Sequence, residues 1–226
     1  MNIFYLSFKN INSFFKKLKI FITTSFLTIS SYLFSDFELE LLPKFGITDS
    51  WTDLTKGVWK PKVDINLQVG YNLPVNKGIF RGVSFLFDFG INTGMISIAH
   101  PDEKYKINKL DTTELYGGLA LKFIINENPT SIIDLAFGIA SGVKFIPLIE
   151  GIRRPTKIPY SPYVRLFVED RIYATEKIAL VAGLDIYYEY MFFDKNDRNR
   201  LFAGYNINQH HSIGADITVG LHFGKR

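Results

Sequence analysis

Few residues of this chain have the types and spacing that chemistry requires. His210-His211-Ser212, with Asp216 or Glu189, supplies the three side-chain kinds of an acyl-hydrolase triad. Adjacent His211 and Ser212 point to opposite faces of an extended strand, however, and Ser212 is the only nucleophile near them in sequence. His100, within Ala99-His100-Pro101-Asp102-Glu103, has no defined partner for an acid–His dyad. With Asp102 and Glu103 it would hold a cation only weakly, from a solvated loop. Gly-rich phosphate loops, HExxH and paired CxxC motifs do not occur. The absence of Cys removes a disulfide framework, thiol metal and redox sites, and the acylated Cys of a lipoprotein. The expectation is a protein without catalytic, cofactor or metal residues, and not an enzyme.

The carboxylates have a second pattern that is not catalytic. Asp64, Asp88, Glu114, Asp134, Glu169, Asp185, Glu189 and Asp216 share alternate positions with Lys122, Lys144, Arg165 and Arg171. Apolar residues fill the positions between them. In Val63-Asp64-Ile65-Asn66-Leu67-Gln68-Val69-Gly70-Tyr71-Asn72-Leu73 every odd position is apolar or aromatic and every even one is polar or Gly. A period of two places the two sets on opposite faces of a strand, where a helix would scatter them. The run also matches the roughly 9–11 residues with which a tilted strand crosses a bilayer.

Eight such segments follow one another. The first opens with Phe37-Glu38-Leu39-Glu40-Leu41 and runs on to Gly46, with Pro43 an awkward residue for its middle. The second is the run above. The others centre on Val83–Asn92, Glu114–Phe123, Ile133–Phe145, Val164–Ile172, Ile178–Tyr190 and Ser212–Phe223. Leu86 falls on the polar face and Asp170 on the apolar one. Connections after odd segments are long and polar (Thr48–Lys60, His100–Leu110, Leu148–Tyr160, Asp194–His210). Those after even segments are tight (Pro74–Phe80, Glu127–Thr130, Ala174–Glu176). Long loops outside and short periplasmic turns are the parity of outer-membrane barrels.

The N-terminus is separate. Lys9, Lys16, Lys17 and Lys19 precede the apolar stretch Ile20–Phe34 and a small residue, Ser35, the order of a secretory signal. A single membrane anchor is the alternative, against which the run is short and diluted with Ser and Thr. Residues 1–35 are expected to be the signal peptide and 36–226 one barrel domain. The four lysines of the signal account for the whole formal charge of +4, so the basic balance gives no argument for nucleic-acid binding.

Alternation does not say which face meets water. In a soluble, secreted ligand-binding barrel of the lipocalin kind the apolar face would line the cavity. The polar face would then be long and charged throughout. Here it mixes isolated charges with Gly70, Gly90, Gly118, Ala120, Ala136, Gly138, Ala140, Gly142, Gly183, Gly214 and Gly220, which suits a narrow, crowded lumen. The twelve charged residues named above are therefore expected to form a polar network inside, paired because buried charges need partners. Acids exceed bases, and the surplus is expected near water at the barrel ends. Tyr71, Phe123, Phe145, Tyr163, Tyr188, Tyr190, Phe192 and Phe193 lie near segment ends, where interfacial girdles belong.

These features together resemble the small eight-stranded outer-membrane barrels of the OmpA, OmpX and OmpW kind. The resemblance implies an all-β, eight-stranded, antiparallel, up-and-down transmembrane barrel preceded by a signal peptide, at the surface of a Gram-negative bacterium. It also implies outer-membrane lipid as a partner and recognition of the C-terminal strand, Ser212–Phe223, by the barrel-assembly machinery. Gly224-Lys225-Arg226 after Phe223 displaces the terminal aromatic from the usual place. A Cys-free composition rich in Phe, Ile, Asn and Lys hints at an AT-rich, spirochaetal source.

Eight strands enclose an interior just wide enough for side chains, whereas open aqueous channels come with about 16–18. That width weighs against a general porin. A narrow or lateral path for small apolar solutes remains as an alternative. The loops carry Trp51, Trp59, Arg153, Arg154, Arg198, Arg200 and Tyr205, residue types that dominate binding hot spots, and an extracellular or host ligand would be met there. The expected function is structural or adhesive, on a barrel with a plugged polar lumen.

Overall fold

The structure is a computed structural model and describes residues 36–52, 55–99, 107–126, 131–149, 158–192 and 210–226. Residues 1–35 lie outside the described residues, as do Phe193, His100, Asp102 and Glu103.

Eight strands run in chain order: β1 (Phe37–Thr52), β2 (Thr55–Lys77), β3 (Phe80–Ala99), β4 (Ile107–Ile125), β5 (Ile133–Ile149), β6 (Tyr160–Tyr173), β7 (Ile178–Met191) and β8 (His210–Phe223). Each pairs antiparallel with the next, and β8 pairs with β1, which closes the sheet into an up-and-down barrel. Closure leaves no membrane-embedded strand edge with unpaired backbone groups.

The alternation read from sequence becomes inside and outside. Even-numbered positions from Lys62 to Gly70 on β2, Gly82 to Asp88 on β3 and Thr112 to Tyr116 on β4 are buried, while Phe85, Phe87, Phe89, Leu119 and Leu121 face outwards. Leu119 and Ile186, at mid-wall, are 63% and 60% exposed. The apolar belt spans Leu115 to Phe123 on β4 and Ile213 to Phe223 on β8, close to what a bilayer core requires. Leu86 lies inside with Ala120, Ala140 and Phe167 in a small apolar cluster. Asp170 lies outside, between Leu135 and Ala182 on the flanking strands.

The strands are longer than the alternation suggests. Most of the stretch Thr48–Lys60 is not a loop: β1 and β2 continue as a hairpin, with Asp49 opposite Trp59 and Thr52 opposite Thr55. The period fades there because no lipid selects apolar residues above the membrane, while the backbone ladder continues. Trp51 is accordingly a strand residue, stacked on His211 with ring centroids 5.5 Å apart. Trp59, on β2, is exposed. In the same way β4 begins at Ile107, inside the segment His100–Leu110.

Turn chemistry accounts for the tight ends. Gly78 has φ of +64° in the two-residue β2–β3 turn, a conformation that the twist of hairpin strands favours and Gly adopts without strain. Thr175 Oγ1 accepts from the backbone of Lys177 and Ile178 in the β6–β7 turn. Pro43 does lie mid-strand. It remains opposite Ile65, but the β1–β8 register passes from Leu41 to Lys44 without Leu42 or Pro43. Its missing N–H falls where that ladder is interrupted.

Candidate functional site

All twelve charged residues expected in the lumen are placed there, each with at most 5% exposure. Sequence reading missed Glu38, Glu40, Lys44, Lys62 and His222, which are also buried inside. Their parity marked them: Glu38, Glu40 and Lys44 share the face opposite Phe37, Leu39, Leu41 and Phe45, and Lys62 shares that of Asp64.

The charges form three layers. Toward the periplasmic turns, Lys122 is bonded to Glu40 and lies 2.6 Å from Glu169. Arg171 reaches Glu40 at 2.8 Å, Glu38 at 3.2 Å and Glu169 at 3.4 Å. His222 Nδ1 lies 2.9 Å from Glu40. In the middle, Arg165 donates to Asp88 at 2.6 Å, and Lys44 is paired with Asp185. Tyr163 (2.6 Å), Asn66 (2.8 Å) and Gln68 (2.9 Å) also donate to Asp88. In the extracellular layer Lys62 meets Asp216 at 2.9 Å and Asp64 at 3.7 Å, and Lys144 bridges Glu189 and Glu114. The Asn92 amide, with its oxygen turned to Lys144 at 3.3 Å, donates to Glu114 at 2.7 Å. At the periplasmic mouth Asp134 is bonded to Asn126 and lies 3.5 Å from Arg226.

Many of these contacts cross the barrel. Lys122 on β4 meets Glu40 on β1, Arg171 on β6 meets Glu38 on β1, and Arg165 on β6 meets Asp88 on β3, each pair three strands apart. Side chains from facing walls thus touch across the middle. Burial of a charge is costly unless a partner and further hydrogen bonds replace its water. The network supplies both.

Two expectations are corrected. The surplus acids are not in water at the ends: ten carboxylates are buried against six Lys and Arg among the described residues. Neutral donors take up part of the excess, with Tyr116 at 2.9 Å from Asp64 and Thr112 at 3.1 Å from Glu114. Tyr163 is not a girdle residue; it is inside, bonded to Asp88. Tyr71, Phe145, Tyr188 and Phe192 are exposed on the outer wall.

The small lumen residues have a definite use. Gly90 is directly opposite Tyr116, Gly138 opposite Phe167, Gly142 opposite Tyr163 and Gly214 opposite Tyr187. A Cβ on Gly90 would lie 2.3 Å from the Tyr116 ring, and one on Gly214 2.4 Å from Tyr187. The Tyr116, Phe167 and Tyr187 rings occupy the space of missing side chains at Gly90, Gly138 and Gly214, and the Tyr163 hydroxyl that at Gly118, which fits four large aromatics into an eight-stranded interior.

His210 and Ser212 share the lumen face, two positions apart, and the nearest hydroxyl to His210 comes from another strand. Ser50 Oγ lies 2.6 Å from His210 Nε2 and 3.2 Å from Ser212 Oγ. All three are fully or almost fully buried, so the grouping packs the extracellular end of the lumen. His211 faces outwards, with Nδ1 2.7 Å from the Tyr188 hydroxyl. Of the residues expected to bind through loops, Arg153, Arg154, Arg198, Arg200 and Tyr205 lie outside the described residues.

A closed antiparallel barrel with an apolar outer wall and a charged, filled interior defines an integral membrane barrel of the bacterial outer-membrane class. Among solved structures the chain is similar to Neisserial surface protein A, with a TM-score of 0.51 and 13% identity over 83% of this chain and 96% of that one. Ail, the attachment invasion locus protein of Yersinia pestis, gives a TM-score of 0.39 at 11% identity, covering 83% of this chain and 99% of that one. OprG from Pseudomonas aeruginosa gives 0.42 at 8% identity, covering 84% and 95%. At such identities the likeness to the Neisserial protein concerns the fold. No protein-family model matches the chain, and no curated protein sequence matches it.

Proposed function

We propose that the protein is a non-conducting outer-membrane barrel with a structural or adhesive role, exercised at its extracellular rim and loops. The observation that carries the reading is the set of ion pairs joining strands three apart, Lys122–Glu40, Arg171–Glu38 and Arg165–Asp88. They occupy the axis that a solute would have to follow. Exposed Trp59 and the Trp51–His211 stack favour contact at the rim, since rigid aromatics suit binding surfaces. Residues 1–35 serve as the export signal in this reading, and residues 36–226 form the barrel. The outward row Ile213, Ile217, Val219, Leu221 and Phe223 on β8 is what the barrel-assembly machinery would engage. The reading involves no catalysis.

Planar-bilayer recording on purified protein tests it. The expected result is no steady single-channel current for the native barrel. Small ion currents are expected once Arg165 and Lys122 are both replaced by Ala. Sustained native conductance would overturn the plugged lumen and favour the solute channel.

A further inference from the structure

The wall of the barrel is not uniform at its extracellular side. The β2–β3 ladder ends with Asp64 opposite Asn92, while the β1–β2 hairpin continues to Thr52–Thr55 and the β3–β4 hairpin to Ala99–Ile107. The two hairpins therefore part above Asp64. The last rung is made by a side chain: Thr93 Oγ1 accepts from the Val63 amide at 3.0 Å. Above it an ion pair from Lys60 on β2 to Asp111 on β4 spans the seam.

A recess of about 440 Å³ opens at this seam, lined by Lys60, Thr93, Asp111, Thr113, Leu148 and Ile149. That is within the size of small-molecule sites, roughly 300–1,000 Å³. Its height on the wall is fixed by register. Thr93, Thr113 and Leu148 form one row, and Ile91, Leu115 and Phe145 form the row beneath, all three exposed and apolar. The recess thus stands on the upper edge of the lipid-facing belt. In the next row down, Gly117 lies between Phe89 and Val143, and a Cβ there would meet only Phe89, at 3.5 Å. The wall has a notch directly under the recess.

We propose that this recess binds the phosphate-bearing headgroup of an outer-leaflet lipid, with an acyl chain lying in the Gly117 notch. Charge exposure decides the sign of the ligand. The Lys60 side chain is 24% exposed and that of Asp111 is 60% exposed, so the carboxylate can turn to water while the ammonium stays enclosed. An ion pair with one partner so exposed contributes little. A phosphate would replace it with a charge-assisted bond from Lys60 and further bonds from the Thr93 and Thr113 hydroxyls. A lipid is the source favoured over a soluble anion, because Leu148 and the notch continue the site into the apolar wall.

The test is lipid retention by the purified barrel, measured by native mass spectrometry at limiting detergent. The probes are lipid A, the same lipid without its phosphates, and inorganic phosphate as competitor. The native barrel should retain lipid A and lose the dephosphorylated form. Lys60→Ala should weaken retention about tenfold, the scale of one charge-assisted bond. Asp111→Asn should strengthen it, and Lys177→Ala, at an exposed periplasmic turn, should leave it unchanged. Heat-modifiable migration in gels checks that each variant is folded. Equal retention by Lys60→Ala and the native barrel would overturn the site. The reverse pattern, with Lys60→Ala strengthening retention and Asp111→Asn weakening it, would show a cationic ligand and also overturn it. Displacement of lipid A by millimolar inorganic phosphate would point to a free anion, against the lipid.

Discussion

Replacing Arg171 with Met tests the periplasmic layer of the network quantitatively. Arg171 is fully buried and lies within 3.4 Å of three carboxylates, those of Glu38, Glu40 and Glu169. Apart from His222, that layer sets these three acids against Lys122 and Arg171. The Arg171→Met variant leaves Lys122 alone to face all three. Removing one partner of a buried ion pair costs about 3–5 kcal/mol, because the remaining charge keeps its desolvation penalty. Glu40→Gln behaves differently, since it leaves two acids facing two cations with nearly the same shape. Its cost should be about 1–2 kcal/mol, that of weakened hydrogen bonds. In the Arg171→Met background the same change removes a surplus charge and should recover about 1–3 kcal/mol. Urea titration of the barrel refolded into lipid vesicles provides the measurement, followed by Trp51 and Trp59 fluorescence and by heat-modifiable migration. A cost below about 1 kcal/mol for Arg171→Met would refute the reasoning. So would a double variant as unstable as the two single changes added together.

Other parts of the barrel should respond in ways that separate inner from outer wall. Gly90→Ala, whose Cβ would lie 2.3 Å from the Tyr116 ring, should cost about 1–3 kcal/mol in the same titration. Gly117→Ala, on the open outer face, should stay within about 0.5 kcal/mol of native. Asp170→Leu replaces a carboxylate on the lipid-facing wall and should raise stability by up to about 1 kcal/mol, read as a higher urea midpoint. Leu119→Arg should cost about 2–4 kcal/mol at mid-belt, whereas Thr113→Arg, one row above the belt, should cost no more than about 1 kcal/mol.

The parts of the fold legible in sequence are those on which lipid acts. Wherever apolar solvent touches one face and a crowded interior the other, as from Val63 to Leu73 or from Ser212 to Phe223, composition alternates and strand, face and register parity can be read off. Above the membrane water replaces lipid on the outside, so the hairpin Thr48–Lys60 carries no alternation and reads as a loop although its strands stay paired, with one irregularity between Ser50 and Thr52. Pro43 looks out of place until the β1–β8 register is seen to skip it. The members of the lumen network follow from parity alone, and Glu38, Glu40, Lys44 and Lys62 obey the same rule as the residues that were singled out. Partner choice does not follow from parity. That Lys122 meets Glu40, or that Tyr163 bonds Asp88 rather than joining a girdle, depends on which strands face each other across a closed barrel. The Ser50–His210 contact was hidden for the same reason, since its members come from β1 and β8, which are joined only by closure.

Site-directed spin labelling in reconstituted bilayers tests the orientation of the wall most directly, and a chain without native Cys allows single labels to be placed cleanly. Nitroxides at positions 119 and 186, both on the outer face at mid-belt, should collide readily with oxygen and hardly at all with a water-soluble nickel chelate. A label at exposed Trp59 should show the reverse. High nickel accessibility at 119 and 186 would mean that water, not lipid, touches the Phe, Ile and Leu face, and would contradict the account.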